Sequence, residues 1–214
     1  GKSVLLREYI AYRMFERLSP NSVRARLVKV AFRDRHVEQV RAPVFCLLVE
    51  HDEQVAARLK GQIQQIFEVP NDSQYLDQAA LTVMFEYMIG NTDWSIADGR
   101  NLYMLKPAGS DKIQLIPYDF DFSGLVSAPY ASPRIDTGLK KVQDRCLISG
   151  GIPKEALQNA CNTMMAAHDE LLALCNSPFL PKTSAKNVER YVEDFFDLIR
   201  EKSIEQLRPK RDLR

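Results

Sequence analysis

Apolar residues recur at helical spacing through Leu5, Leu6, Tyr9, Ile10, Met14 and Leu18. This predicts a helix over 3–18, stopped by Ser19-Pro20-Asn21-Ser22. The period then shortens. Val28, Val30 and Phe32 alternate with Lys29, Ala31 and Arg33, predicting a strand over 24–33. A polar connection through Asp34-Arg35-His36 leads to Val44-Phe45-Cys46-Leu47-Leu48-Val49. That run predicts a second strand, apolar enough to be buried on both faces. It ends at Glu50-His51-Asp52, and a short helix follows to about Lys60. The next segment, through Pro70-Asn71-Asp72, carries only a weak pattern.

Leu76, Ala80, Val83, Met84, Tyr87 and Met88 form one stripe of a helix over 74–89, and Gly90 is placed to end it in a left-handed cap. Two short strands, 101–105 and 113–117, are joined by a turn at Ala108-Gly109-Ser110-Asp111. Residues 126–138 read as an extended loop and the remainder as helical. The clearest late helix starts from an N-cap at Ser184 and carries Val188, Tyr191, Val192, Phe195 and Ile199. Strands and helices do not alternate, which argues against a doubly wound sheet. The order predicts an α+β fold, a small antiparallel sheet beside a helical lobe.

Composition adds bounds. The 214 residues, 45% hydrophobic and 27% charged, suffice for one large domain or two small ones with a buried core. A net charge of +1 gives no electrostatic reason to expect nucleic acid or an acidic membrane as partner. Arg24, Arg26, Lys29, Arg33, Arg35 and Arg41 cluster around the first strand pair, and Lys210 and Arg211 sit in the tail. They read as a solvated sheet face. Cys46, Cys146, Cys161 and Cys175 form no Cys-x-x-Cys pair, which argues against structural zinc and for buried thiols in a reducing compartment. Nothing in the sequence supports a disulfide between Cys161 and Cys175. No apolar run reaches the roughly 18 residues of a membrane span. The chain opens on Gly1-Lys2 directly into a helix, so it reads as a fragment whose compartment the sequence leaves open.

The chemistry-bearing residues lie between Ile89 and Gly124. Asp93 sits in Gly90-Asn91-Thr92-Asp93-Trp94, Asn101 at a strand start, and Asp119 and Asp121 at a strand end in Ile116-Pro117-Tyr118-Asp119-Phe120-Asp121. Mg·ATP phosphoryl transfer needs a base for a hydroxyl proton and oxygen ligands for Mg²⁺, and these residues supply them in order. In an extended segment Asp119 and Asp121 would face the same way, toward one cation. Flanked by Tyr118, Phe120 and Phe122, they would be partly desolvated and need a counter-ion. The plain alternatives are loop chemistry for Asn91-Thr92-Asp93 and a salt-bridged surface turn for the acid pair. Trp94 reads as a packing anchor. Arg145 reads as a bridge between two helices sooner than as a phosphate ligand. His36, His51 and His168 are scattered and suggest neither a triad nor a metal site.

These motifs resemble the Asn-x-Asp and Pro-x-Asp-x-Asp signatures of the CotH-type spore-coat protein kinases, a branch of the protein-kinase-like fold. The resemblance covers most of residues 1–125. It implies a partial N-lobe over 1–52, with a regulatory-type helix, two antiparallel strands and a hinge. A mainly helical C-lobe over 53–214 would carry the catalytic loop and metal-binding hairpin. It implies Asp93 as catalytic base, and Asn101, Asp119 and Asp121 as metal ligands. Glu8, with Glu16 as competitor, would pair with a phosphate-contacting Lys, and backbone at Val49 and Glu50 would hold adenine. The implied cofactors are ATP with Mg²⁺ or Mn²⁺, and the implied acceptor is a protein hydroxyl.

Two departures accompany it. The fold's N-terminal strands and their Lys are missing, Lys2 being a poor substitute, so the chain alone is expected to be inactive. Asp93 and Asn101 are eight positions apart, where the protein-kinase catalytic loop places about five, so Ala97-Asp98-Gly99 must bulge. Two other readings stay open. One is a non-catalytic kinase-like module that binds a nucleotide or a partner. The other is a haloacid-dehalogenase-type phosphatase with Asp119 as nucleophile and Asp121 as acid/base.

Overall fold

The computed structural model describes residues 1–33, 36, 42–66 and 69–207. Asp34 of the polar connection, and Arg35, Arg41, Lys210 and Arg211 of the basic clusters, lie outside the described residues. The fold is α+β, with seven helices and two small antiparallel sheets among the described residues.

Helix α1 (Lys2–Leu18) buries Leu6, Ile10, Ala11, Met14 and Phe15 at the predicted spacing. The Ser19 amide closes it by donating to the Phe15 carbonyl at 2.9 Å, and Pro20 stops it. Strands β1 (Ala25–Val30) and β2 (Val44–Val49) pair antiparallel, from Ala25 opposite Val49 to Val30 opposite Val44. The cross-strand pair Leu27 and Leu47 packs toward the core, where α1 covers this sheet. The other face is not covered: Val44 and Leu48 are 49% and 55% exposed. The expectation that β2 is buried on both faces is therefore corrected: α1 packs against this pair and shields one side. The first strand also ends at Val30, leaving Phe32 exposed.

The boundary expected at residue 52 falls at the start of helix α2 (Asp52–Arg58), which His51 and Gln54 cap reciprocally. Strand β3 (Gly61–Gln64) was not legible in the sequence. It pairs with β4 (Leu102–Pro107), which pairs with β5 (Gln114–Pro117), giving the order β3-β4-β5. Gly61 is required here, since a Cβ would stand 2.6 Å from the Lys106 carbonyl oxygen.

Helix α3 (Leu76–Ile89) is buried around its whole circumference from Gln78 to Ile89, not along one stripe. It is apolar on nearly every side because α4 (Lys154–Ala166), α6 (Lys182–Glu201) and β5 all pack on it. Two of its polar residues find partners inside: Gln78 Nε2 and Thr82 Oγ1 donate to the Leu115 carbonyl at 3.1 and 3.0 Å. Residues 139–153, expected to be helical, form turns and extended chain instead. Gly150 and Gly151 are in the left-handed region there, and Pro153 follows. Helices resume with α4, followed by α5 (His168–Cys175), α6 and the short α7 (Ile204–Leu207). The predicted N-cap at Ser184 is also corrected. Pro181 flanks the start of α6, and Ser184 lies inside its first turn.

Arg145 bridges two helices. Its Nε donates to the Met88 carbonyl at 3.1 Å, another guanidinium nitrogen donates to the Tyr191 carbonyl, and the group lies 3.8 Å over the Tyr191 ring. All four cysteines are free thiols. Among the described residues no helix is long and apolar enough to cross a membrane.

Candidate active site

The site is assembled at the C-terminal end of α3, where a helix leaves carbonyls without intrahelical partners. Gly90 takes a left-handed φ of 64°, and a Cβ on it would meet the Tyr191 hydroxyl at 2.1 Å. The Gly90 and Asn91 amides turn back to the Tyr87 and Glu86 carbonyls at 3.2 and 2.9 Å. The next two carbonyls serve a different segment: Ile89 accepts from Leu125 N–H at 2.9 Å and Gly90 from Gly124 N–H at 3.1 Å. One helix end thus anchors both the Asp93 loop and the segment after Asp119-Phe120-Asp121.

Asp93 and Asn101 meet despite their spacing. Asn101 Nδ2 donates to the Asp93 carbonyl at 2.7 Å and to its carboxylate at 3.2 Å. The extra residues fold into a local turn. Ser95 N–H reaches the Arg100 carbonyl at 3.1 Å, and Gly99 is left-handed. This is the expected bulge. It brings Arg100 to 3.5 Å from the Asp93 carboxylate and 2.9 Å from Asp98. Below the loop Asn91 Oδ1 accepts from Asp93 N–H at 2.9 Å, and Trp94 is buried as the expected anchor.

Asp119 departs from expectation. It is not extended but left-handed, with φ 61°. Two long-range contacts hold this turn. The Tyr12 hydroxyl of α1 accepts from Asp119 N–H at 2.9 Å, and Phe120 is buried against the rings of Tyr12 and Phe85, at 4.7 and 5.4 Å. The Asp119 and Asp121 carboxyls still come within hydrogen-bonding reach of each other. Burial, then the charge of Asp121 and its hydrogen bond, then Asp93, push the Asp119 carboxyl up to about 6. Glu8, one helical turn before Tyr12, is pushed up to about 7 by burial and then by Asp119 and Asp121. Tyr130 hydrogen-bonds Asp121 from the loop beyond. Glu8 and Asp119 thus lie among acids: Asp119 and Asp121 act on the first, and Asp121 and Asp93 on the second. Glu16, the competing helix candidate, pairs with Arg13 at 3.2 Å instead.

Among the described residues no three His, Cys, Asp or Glu side chains are grouped to hold a metal ion by themselves. The donors nevertheless suit Mg²⁺ or Mn²⁺. These ions take oxygen ligands, and Mg²⁺ is ordinarily held by one or two carboxylates, with water and phosphate oxygens completing the shell. Asp119 and Asp121 form such a pair, Asp93 acts on Asp119 by its charge, and Asn101 hydrogen-bonds Asp93.

At the expected hinge, the Glu50 carboxylate is engaged by Arg58 at 2.7 Å and by the Arg24 amide at 3.1 Å. Its own amide donates to the Arg24 carbonyl at 2.8 Å. In an antiparallel ladder the adjacent pair, Ala25 and Val49, is then non-hydrogen-bonded. The Val49 amide and carbonyl accordingly point away from β1. Lys2 lies over the Phe45 ring at 4.7 Å.

Several residues here were missed by sequence reasoning. Tyr103 and Tyr118 stack at 4.2 Å, half-buried, and both feel the charges of Asp52 and Asp119. A cavity of about 530 Å³ borders Asp93 and is lined by Arg100, Phe122, Arg134 and Ile135. Arg134 ties this later loop to the Asp93 loop: its amide donates to Thr92 Oγ1 at 3.0 Å and its guanidinium to the Trp94 carbonyl at 3.2 Å. Tyr12, also missed, left a signal, because a residue four after Glu8 shares its helix face. A scan against protein-family models, a search of curated proteins and a search of solved structures each found no match to this chain.

Proposed function

We propose that this chain is the catalytic part of a Mg·ATP-dependent phosphotransferase with a protein-kinase-like arrangement, acting on a protein hydroxyl. The observation that carries the reading is the meeting of Asp93, Asn101 and the Asp119–Asp121 pair with Glu8 at the end of α3. The protein acceptor and the kinase-like fold rest on the motif resemblance. In the proposed reaction the acceptor oxygen attacks the γ-phosphorus, and the bond to the β,γ-bridging oxygen breaks to release ADP. The hydroxyl proton passes to the Asp93 carboxylate. Asn101 fixes the Asp93 side chain and Arg100 partly offsets its charge. Asp119 and Asp121 would hold Mg²⁺ or Mn²⁺, which when bound neutralises phosphate charge. The cavity beside Asp93 is where the acceptor would enter, and the outward-facing Val49 backbone offers adenine a donor and an acceptor.

A non-catalytic nucleotide- or partner-binding module is the second reading, favoured by Glu8 facing the acids Asp119 and Asp121 where the resemblance calls for a Lys. A haloacid-dehalogenase-type phosphatase fits less well. Asp119 follows an antiparallel hairpin, and no strand follows it among the described residues.

The test is the melting temperature of the full-length protein with and without ATP plus Mg²⁺ or Mn²⁺, beside its Asp119→Ala variant. A metal-dependent rise that vanishes in the variant is expected, equivalent to about 2.7 kcal/mol at a hundredfold excess over Kd. No rise at millimolar ATP overturns the reading. A rise without transfer of labelled γ-phosphate to protein selects the non-catalytic module.

A further inference from the structure

Glu86 lies in the last turn of α3 with no solvent exposure. A carboxyl there is an expensive choice, since an apolar residue of similar size would fill the same space without desolvation cost. Neither of its oxygens has a hydrogen-bond partner of standard geometry, and the same holds for Asn91 Nδ2, itself buried. The Glu86 carboxyl and Asn91 side chain face each other at a looser contact. The other end of the Asn91 carboxamide is committed, its Oδ1 accepting from Asp93 N–H at 2.9 Å.

We propose that Glu86 is a positioning residue for Asp93, acting through the Asn91 carboxamide. The backbone alone fixes Asn91 as far as its amide, which donates to the Glu86 carbonyl at 2.9 Å. It does not fix the side-chain rotation. A carboxyl oxygen facing Nδ2 turns the carboxamide so that Oδ1 points at the Asp93 amide. Burial, opposed by the Asn91 hydrogen bond and reinforced by the charge of Asp93, raises the Glu86 carboxyl well above its usual range. A neutral acid suits this place, because a carboxylate would repel Asp93. The inference rests on the phosphotransferase reading only in the role that reading gives Asp93.

Hydrogen–deuterium exchange of the nucleotide-free protein tests it, in wild type, Glu86→Gln, Glu86→Leu and Asn91→Ala. Glu86→Gln keeps a neutral acceptor and is expected to leave exchange across residues 91–94 unchanged. Glu86→Leu and Asn91→Ala are expected to speed it about tenfold or more, while residues 81–85 of the same helix stay protected. Wild-type exchange at 91–94 in Asn91→Ala or in folded Glu86→Leu overturns the proposal, as does a Gln variant loosened as much as Leu. No nucleotide is present, so failure here is read separately from failure of the Mg·ATP melting test.

Discussion

The two halves of the site meet at one helix end but balance their charges differently. Around Asp93 the protein supplies donors: Asn101 Nδ2 at 3.2 Å, Arg100 at 3.5 Å, and Asn91 beneath for the backbone amide. Around Asp119 it supplies more acid, from Asp121 and Glu8, and the Tyr12 hydroxyl there binds the backbone and not the carboxylate. The Asp93 half is complete as folded. The Asp119 half is held in place with its acids raising one another. Under the proposed function a divalent cation with bound phosphate would relieve that repulsion.

The sharpest way to break the contrast is to remove charge from each half in turn. In the full-length protein, Asp93→Asn is expected to slow phosphoryl transfer on the order of 10²-fold, the usual contribution of a general base, and to leave Mg·ATP binding intact. Asp119→Asn is expected to abolish metal-dependent nucleotide binding yet to raise the melting temperature of the ligand-free protein by roughly 2–4 °C. Transfer rates and melting curves on the two variants check this. Equal effects from both would dissolve the distinction between the halves.

The pH dependence sharpens it further. Glu8 and Asp119 sit at about 7 and about 6 in the folded protein, above their ordinary 4.5 and 3.8. The folded state therefore binds more protons than the unfolded chain between those limits. Their stabilising contribution is complete below the ordinary values and is lost as pH rises through 6 to 7. The ligand-free protein is expected to lose roughly 1–2 kcal/mol between pH 5 and pH 8, allowing for the partial exposure of Asp119. Glu8→Gln should flatten that slope, and saturating Mg·ATP should remove it. A melting temperature that does not fall over this range in the ligand-free protein would show that the acids are already compensated.

The smallest expected effect concerns the link between α1 and the acid loop. Tyr12→Phe keeps the ring packed on Phe120 and removes the acceptor for Asp119 N–H. A loss of about 1–2 kcal/mol is expected, with several-fold weaker Mg·ATP binding, read by denaturant melts and calorimetry. Unchanged binding would mean that the Asp119 turn holds its shape without α1.

Much of the fold was legible because its signals are local. The stripe of α1, the alternation of β1 and the left-handed Gly90 each depend on neighbours in sequence. Strand β3 was not, because Gln62-Ile63-Gln64 offers one apolar side chain and its order comes from a ladder to β4 some forty residues away. The chain at 139–153 misled because apolar residues such as Leu147 and Ile148 are buried there without helical structure. Asp119 was placed near the right partners for the wrong local reason. An extended strand end would have aligned it with Asp121, but Tyr12 and Phe85 hold it in a left-handed turn instead.

The sequence by itself determined the order of the candidate groups: a carboxylate after a helix-ending glycine, an amide at a strand start, and two acids at a strand end. That order follows from side-chain chemistry and short-range backbone preference. Only the tertiary structure decided that the eight-residue spacing closes, that Glu8 approaches Asp119, and that Glu86 lies under Asn91. Those outcomes turn on distance and desolvation between residues far apart in the chain, and Coulomb energy and burial are set by the packed fold.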